Sequence, residues 1–287
     1  MSEPVVADIL FSAARSLEAA GLDEARLKAE WALSRALGFP RLEWPLRFRE
    51  AVPASALSAF ESYVRRLAGR EPLQYVLGDA EFMGLVLKTD RRALIPRPET
   101  EFLVETVLEY PPLWAANRRP VVADVGTGTG CIALALASKR PGARCLARDS
   151  SPAALDLARE NAAALGLEGR IEFEEGDLLE GVPPGSLDAV VSNPPYVPAG
   201  DWAGLDRSVR DFEPRGALDG GADGLAVIRR LLPQAFTSLK ERGIVALEIG
   251  EGQAERVRRL MKDAGFVAGE IRRDFSDRDR VALGIKE

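Results

Sequence analysis

The sequence predicts an α/β protein in which a mostly parallel sheet ends in an antiparallel hairpin and follows a small bundle of helices. From residue 119 onward, short apolar runs alternate with helical patterns, and strands that alternate with helices of this length pair in parallel through right-handed crossovers. The last two strand-like runs are joined by a polar turn and should pair antiparallel. Residues 1–73 instead place apolar side chains at three- and four-residue spacings, as amphipathic helices do.

The N-terminal region, residues 1–73, is predicted to be a helical domain. Three helices are expected, over residues 5–20, 23–37 and 54–68. Asp23 and Pro53 are typical start signals for the second and third of them. The region carries no catalytic motif, so it serves either stability or the docking of a large substrate, and we expect a substrate-docking domain.

Residues 74–96 are predicted to form a β-hairpin linker. The runs 74–77, 81–88 and 93–95 combine aromatic and β-branched residues with glycine punctuation. The third region, residues 97–287, opens with a helical pattern in which Glu99 or Thr100 could act as the cap.

Region 97–287 carries the alternating pattern. Strands are expected at 121–125, 144–148, 171–175, 187–193 and 244–249, and helices at 130–139, 152–165, 225–240 and 253–264. The closing hairpin pairs 267–273 with 280–285. Ligands of such sheets bind beyond the carboxyl ends of the strands, so the residues that follow these strands are the candidates for a site.

The chain contains no histidine, which excludes Ser-His-Asp and Cys-His catalysis and removes the commonest metal ligand. We therefore expect no metal, and a reaction that depends on a cofactor and on positioning. Cys131 and Cys145 are too few for a disulfide framework, and as small buried hydrophobic residues they suit a reducing, cytoplasmic location.

The net charge of −6 argues against broad adhesion to DNA or RNA, which requires a basic surface. The longest apolar runs, such as 131–137, are far shorter than the roughly 20 residues that span a membrane. The start of the chain lacks the basic and apolar segments of a signal peptide. We expect no nucleic-acid partner, no membrane association and a monomer.

A glycine-rich turn follows the first strand of the predicted sheet. Gly126, Gly128 and Gly130, with Thr127 and Thr129 between them, allow a tight turn and a close approach of the backbone to a ligand. A dinucleotide fingerprint would need its third glycine at position 131, which is a cysteine. This departure argues against a nicotinamide enzyme.

Acidic residues follow the next two strands. Asp149 is placed to accept hydrogen bonds from both hydroxyls of a ribose, or alternatively to cap the next helix. Asp177 could accept a hydrogen bond from an adenine amino group while Leu178 lies against the ring; a solvated loop is the other interpretation. With the glycine turn, these residues suggest a nucleoside ligand without a pyrophosphate. S-adenosylmethionine fits, with Asp124 or its neighbours near its amino-acid end.

The motif Asn193-Pro194-Pro195-Tyr196 ends the strand predicted at 187–193. The prolines cannot donate to a sheet ladder and force the chain out of the sheet. The amide side chain of Asn193, the free carbonyl of Pro194 and the aromatic face of Tyr196 make a poor base but a good clamp for a planar NH2 group. An ordinary turn is the alternative.

These motifs resemble those of the class I S-adenosylmethionine-dependent methyltransferases that modify planar nitrogens, which have a Rossmann-like sheet. Three further segments resemble the release factor glutamine methyltransferases, the HemK/PrmC family: residues 94–101, residues 213–221 with Asp223-Gly224-Leu225, and residues 247–250 with Gln253. The resemblance runs from about Pro72 to the C-terminus, and a helical N-terminal domain is also a feature of that family.

The resemblance implies methyl transfer from S-adenosylmethionine to the side-chain amide nitrogen (N5) of the glutamine in the Gly-Gly-Gln motif of class 1 peptide chain release factors, which modulates translation termination. S-adenosylhomocysteine is then the product. Cofactor binding is expected at Asp124, Gly126, Thr127, Gly128, Thr129, Gly130, Asp149, Asp177, Leu178 and Asn193. Catalysis is expected at Asn193, Pro194 and Tyr196, and substrate binding at these residues and Pro195. Family members often carry an aromatic residue at the position of Leu178.

The chemistry of an amide substrate agrees with this assignment. An amide nitrogen is a weak nucleophile because its lone pair is delocalised, and acceptors at Asn193 and Pro194 would orient it and stabilise charge that develops on it. Tyr196 would pack against the amide plane and exclude water. No strong base is needed, because the methylated nitrogen can lose its proton late. Three charged residues either line the site or brace the linker: Arg97, Glu99 and Glu101.

Three other functions compete with this interpretation. An adenine-N6 methyltransferase of DNA or RNA would also bind a planar NH2, but the acidic charge balance counts against it. A silent cofactor-binding module would have no use for an amide clamp. A nicotinamide oxidoreductase is disfavoured by Cys131 and by the absence of histidine.

Overall fold

The computed structural model describes residues 4–115 and 119–287. The chain divides into two compact units. The first, the helical unit, comprises Met1–Asp79 together with Asp206–Phe212, and the second, the sheet unit, comprises Ala80–Leu205 together with Glu213–Glu287. Both units are therefore assembled from two separate segments of the chain.

The helical unit begins with a bundle. Its N-terminal segment contains α1 (Val6–Ala19), α2 (Ala25–Leu37), α3 (Trp44–Arg47), α4 (Ala54–Ala68) and α5 (Leu73–Leu77). The core side chains Leu10, Leu17, Leu33 and Phe60 are each at most 3% exposed. The three long helices confirm the prediction from apolar spacing, whereas α3 is too short to show a periodicity in the sequence.

The predicted strand at 74–77 is wrong, because these residues belong to helix α5. Pro72 fixes the extended backbone that precedes this helix, and Gly78 ends it in the left-handed conformation, φ 86°. The aromatic and β-branched side chains at 75 and 76 are buried, so tertiary packing overrides their strand propensity.

The linker hairpin consists of β1 (Asp79–Phe82) and β2 (Leu85–Lys88). Met83 and Gly84 form its turn with φ of 53° and 80°, the positive values that a two-residue type I′ turn requires. Residues 93–95, also predicted as part of the hairpin, lie outside the strands.

The sheet unit continues with α6 (Pro98–Leu108), β3 (Val121–Val125), α7 (Cys131–Lys139), β4 (Arg144–Asp149), α8 (Pro152–Leu165), β5 (Ile171–Glu175) and β6 (Leu187–Ser192). Helix α9 (Arg207–Arg210) lies in the second segment of the helical unit. The chain then forms α10 (Ala226–Ser238), β7 (Leu239–Glu248), α11 (Ala254–Asp263), β8 (Val267–Arg273) and β9 (Asp279–Ile285).

The seven strands of the main sheet have the order β5-β4-β3-β6-β7-β9-β8. The first five of these pair in parallel, and β9 pairs antiparallel with both β7 and β8. The predicted α/β class, the parallel sheet and the closing antiparallel hairpin are thereby confirmed. Strand β3 lies between β4 and β6, so the chain order reverses beside it and opens a crevice at the carboxyl ends of the strands.

Two apolar cores cover the two faces of the sheet. Helices α6 and α7 contribute Leu103, Leu134 and Leu136 to one core, and helices α10 and α11 contribute Leu231 and Met261 to the other. All five side chains are fully buried. The cores hold the strands rigidly and so fix the residues that follow them.

The largest difference between predicted and observed element boundaries lies at the start of β7. Strand β7 begins at Leu239, whereas a helix was expected to continue to residue 240 and the strand to begin only at 244. Leu239 pairs with Leu187 of β6, and the pairing then shifts before Ala189 meets Ile244. Because of this shift in pairing, the first residues of β7 do not follow a regular strand pattern in the sequence, and its start is not predicted.

Among residues 4–115 and 119–287, no helix is both long enough and apolar enough to cross a bilayer. The same residues contain no group of three or more cysteine, aspartate and glutamate side chains arranged to hold a metal ion.

Candidate active site

A cavity of about 320 Å³ lies in the sheet unit beyond the carboxyl ends of its parallel strands. Its wall contains most of the residues singled out from the sequence: Gly126, Thr127, Gly128, Thr129, Asp149, Asp177, Leu178, Asn193, Pro194 and Pro195. Asp124, Gly130 and Tyr196 are not part of this wall. The crevice beside β3 thus brings together motifs from four separate strands.

The glycine turn adopts the conformation that its composition predicts. Gly126, Gly128 and Gly130 have φ of 72°, 56° and 83°, values that side chains with a Cβ rarely adopt. A Cβ on Gly130 would lie 3.2 Å from the Cβ of Ala158. The amide of Gly126 donates to the carbonyl of Arg148 at 2.8 Å, which ties the turn to the end of β4.

Asp124 supports the turn from inside the protein and is 1% exposed. Its Oδ2 accepts hydrogen bonds from the Thr127 hydroxyl at 2.6 Å and from the Ala133 amide at 3.0 Å. Burial raises the pKa of Asp124 to about 7, although the Thr127 hydrogen bond opposes this shift. Asp124 therefore shapes the turn that lines the cavity.

Asp149 joins the turn to the next loop. Its Oδ2 accepts from the Gly128 amide at 2.9 Å, and its Oδ1 accepts from the Ser151 amide at 2.9 Å. The N-cap of α8 is Ser151, whose hydroxyl accepts from the Ala154 amide. Each carboxylate oxygen of Asp149 has a second lone pair, so both can still accept from a hydroxyl in the cavity.

The loop after β5 is held by Arg148, which is 5% exposed. The guanidinium donates to the carbonyls of Leu178 and Glu180, each at 2.8 Å. A Cβ on Gly176 would lie 2.0 Å from Nη2 of Arg148, so a larger residue there would displace the guanidinium from these carbonyls. Leu178 has a φ of 53°, an unusual value for a side chain with a Cβ, and it faces the cavity in this strained position.

All four arginines in the cavity wall are paired with carboxylates. Arg92 binds Asp90 and Glu160, Arg97 binds Glu213, Arg148 binds Glu174, and Arg230 binds Asp177. No arginine in the described wall is therefore left to bind a phosphate group, whose recognition normally uses such cations. The described wall therefore offers no unpaired arginine to an anionic ligand.

Asn193 is the first residue of a buried hydrogen-bond chain. Its Nδ2 donates to the Thr100 hydroxyl at 3.0 Å, and that hydroxyl donates to Oε2 of Glu248 at 2.7 Å. Thr100 is 3% exposed and Glu248 is fully buried. Burial raises the pKa of Glu248 to about 7, against the lowering effects of the Thr100 hydrogen bond and of Arg280.

Tyr196 belongs to the same network. Its hydroxyl donates to Oε1 of Glu248 at 3.3 Å, and burial raises the pKa of the phenol above its usual value. The backbone carbonyl of Tyr196 accepts from Nε2 of Gln253 at 3.1 Å, and the same amide group reaches the Gly224 carbonyl. The side chain and the backbone of Tyr196 thus both fix the segment that follows Asn193.

The linker and the segment from 213 to 221 also meet at the cavity. Glu213 is 5% exposed and accepts from the Ile95 amide at 3.1 Å and from the guanidinium of Arg97. Arg97 lies in the cavity wall, so it both lines the site and braces the linker. Glu101 accepts from the Met83 amide at 2.6 Å and braces the hairpin, and Glu99 is exposed.

Two residues that the structure joins to Asn193, Thr100 and Glu248, were not predicted from the sequence as site residues. The sequence predicts Thr100 or Glu99 as the helix cap, and Thr100 otherwise stands only within the family-like segment 94–101. The cap prediction is wrong, because the N-cap of α6 is Arg97 and no side chain caps it. Glu248 was noted only within a family motif. Glu248 could have been found as an acidic residue at the end of an otherwise apolar strand, because a charge in such a place is either paired or functional.

Comparisons with known proteins cover nearly the whole chain. A family model described as PrmC N-terminal domain matches residues 8–78, and one described as Methyltransferase small domain matches residues 98–205. A release factor glutamine methyltransferase of Geobacter sulfurreducens is 42% identical over 92% of this chain and 90% of its own length. Another, from Moorella thermoacetica, is 43% identical over 96% of this chain and 97% of its own length.

A solved structure supports the fold independently. A methyltransferase from Pyrococcus furiosus has a TM-score of 0.52 and 18% sequence identity, and the match covers 71% of this chain and 89% of that one. At this identity the likeness shows the sheet architecture alone.

Proposed function

The chain belongs to the release factor glutamine methyltransferase family, and on that premise we propose that it methylates N5 of the glutamine in the Gly-Gly-Gln motif of class 1 peptide chain release factors. The observation that carries the proposal is that Asn193 and Pro194 line the same cavity as the glycine turn and Asp149. The methyl donor is S-adenosylmethionine and the other product is S-adenosylhomocysteine. We place the reaction in the cytoplasm, where reduced Cys131 and Cys145 are expected.

The cofactor is held by the segments that form the glycine turn and the two acidic loops. The bends at Gly126 and Gly128 let the backbone approach it closely, Asp149 offers carboxylate oxygens to the ribose hydroxyls, and Asp177 and Leu178 bound the adenine side of the cavity. When bound, S-adenosylmethionine supplies an electrophilic methyl group. Arg230 neutralises Asp177 and so leaves this wall close to neutral.

The substrate amide is held by acceptors. Because Nδ2 of Asn193 is turned to Thr100, Oδ1 remains to accept from the NH2 group of a glutamine side chain. The Pro194 carbonyl is the second acceptor, and the two prolines hold it rigidly. Two acceptors orient the nitrogen and stabilise positive charge that develops on it.

The partner is proposed to be a protein. The helical unit docks the release factor, and the chain acts as a monomer. The net charge of −6 disfavours a nucleic acid as substrate. Tyr196, whose hydroxyl is engaged by Glu248, keeps the clamp segment in place beside the docked tip.

The test is to incubate the purified protein with radiolabelled S-adenosylmethionine and one candidate substrate at a time. Release factor should be labelled, while a release factor whose Gly-Gly-Gln glutamine is replaced by alanine should remain unlabelled. Duplex DNA provides the third arm. Label on DNA, or equal label on the alanine variant, would contradict the proposal.

A further inference from the structure

The Thr100 hydroxyl determines which way the Asn193 amide faces. A threonine hydroxyl has one proton to donate and lone pairs with which to accept. Glu248 as a carboxylate can only accept, so it takes that proton across the 2.7 Å contact. Toward Asn193, at 3.0 Å, the hydroxyl can then only accept. The Asn193 group that faces Thr100 must therefore be the NH2.

The side-chain oxygen of Asn193, Oδ1, consequently lies on the side of the amide that is turned away from Thr100. Within residues 4–115 and 119–287, no hydrogen bond reaches Oδ1 of Asn193. The amide lies in the cavity wall, and a reversed amide would present a donor to the cavity instead. A donor cannot bind the NH2 group of a substrate. The hydrogen bonds through Thr100 and Glu248 thus select the orientation of the Asn193 amide that presents an acceptor to the cavity.

We propose that Thr100 and Glu248 are positioning residues that fix the acceptor oxygen of Asn193 toward an NH2-bearing substrate. The inference rests on the proposed function, since the selected group is the substrate amide. Neither residue contacts the reacting atoms in this role. Both act through Asn193, and Tyr196 holds the second oxygen of Glu248 at 3.3 Å.

The proposal has a consequence for pH. Burial raises the pKa of Glu248 to about 7, so its protonation falls in an accessible range. A protonated Glu248 can donate to Thr100, which frees the Thr100 proton to point at Asn193 and favours the reversed amide. Methyl transfer should therefore rise with pH through about 7. The groups facing Glu248 are Thr100, Tyr196, Arg280, Glu99 and Cys131.

The experiment compares single-turnover methylation of release factor at saturating S-adenosylmethionine, from pH 5.5 to 9, in the full-length protein. Thr100→Val should slow transfer by about 10- to 100-fold, because a misplaced acceptor disturbs the attacking geometry. Thr100→Ser retains the hydroxyl and should restore most of the rate. Glu248→Gln should give a lower rate without the rise near pH 7.

The matched control is Thr106→Val, which makes the same change in the same helix. Thr106 is 1% exposed, and its Oγ1 has no hydrogen-bond partner among the described residues. This variant should methylate at the wild-type rate. If Thr100→Val matches Thr106→Val, or if Glu248→Gln keeps the wild-type pH profile, the positioning role is wrong.

A readout without substrate separates this inference from the proposed function. The side-chain NH2 signals of Asn193, assigned by their loss in Asn193→Ala, should shift through a titration near pH 7 in the wild type but not in Glu248→Gln. Signals that do not titrate in the wild type would overturn the positioning role even where release factor is methylated. A wild-type protein that leaves release factor unlabelled would instead overturn the proposed function, whatever these signals do.

Discussion

We propose that Asn193 contributes an acceptor to the reaction, while the opposite side of the cavity is formed by the glycine turn and Asp149. We expect Asn193→Ala to slow methyl transfer to release factor by about 100-fold or more, the usual cost of losing one stabilising contact to the transition state. The affinity for S-adenosylmethionine should be nearly unchanged, because the glycine turn and Asp149 remain. Calorimetric titration and a labelling assay measure the two quantities. Normal labelling by this variant would show that the amide clamp is assigned to the wrong residue.

Glu248 also links stability to pH. Its pKa is raised from 4.5 to about 7 in the folded protein, so the folded state retains a proton that the unfolded chain releases. The free energy of unfolding should therefore fall as pH rises from about 4.5 to 7, by up to about 3 kcal/mol from this residue. Glu248→Gln removes this contribution while Asp124, whose pKa is also raised, keeps its own.

Denaturant unfolding at pH 4.5 and pH 8 tests this expectation. The stability of Glu248→Gln relative to the wild type should increase between the two values. Parallel pH dependences of the two proteins would mean that Glu248 is as ionisable when folded as when unfolded.

At the scale of elements, the central strands were predictable because each is a short apolar run that ends in a recognisable motif. Strand β6 is buried along its whole length, and its end at Ser192 follows from the prolines after Asn193. Helix α5 was not predictable from its residues, since aromatic and β-branched side chains favour strands unless packing decides otherwise.

The site was predictable only in part. Motifs that contain glycine or proline can be recognised in the sequence, because these residues favour backbone conformations that few other residues adopt. The contact of Thr100 with Glu248 joins residues that are distant in the chain, and no spacing rule predicts it. Pairing of the wall arginines with carboxylates is likewise a property of the folded structure alone.

The brace between the linker and the segment that starts at Glu213 should be important for the stability of the sheet unit. Glu213→Ala removes the acceptor of the Ile95 amide and leaves the partly exposed Arg97 without its ion pair. A cost of about 2 kcal/mol in unfolding free energy is expected. The control is Asp156→Ala, whose pair with Arg159 is largely exposed and should contribute about 0.5 kcal/mol or less. Equal losses in urea denaturation would contradict the role of the brace.

At the scale of the whole molecule, the cavity belongs to one of the two units. Every residue of its wall lies in the sheet unit. Saturation with S-adenosylmethionine at about 100 times Kd should stabilise that unit by about 2.7 kcal/mol. Hydrogen exchange followed by mass spectrometry should show slower exchange in the glycine turn and in β3, with little change in α1, α2 and α4. Equal protection of these helices would indicate that the cofactor stabilises both units together.

The division of the helical unit into two segments determines when that unit can be completed during synthesis. A chain leaves the ribosome N-terminus first, so Met1–Asp79 is available long before Asp206–Phe212. By the time that second segment emerges, β3 to β6 and Asn193 have already been synthesised. The unit that we propose for docking the release factor is therefore completed only after Asn193, the proposed acceptor for the substrate amide, has been synthesised.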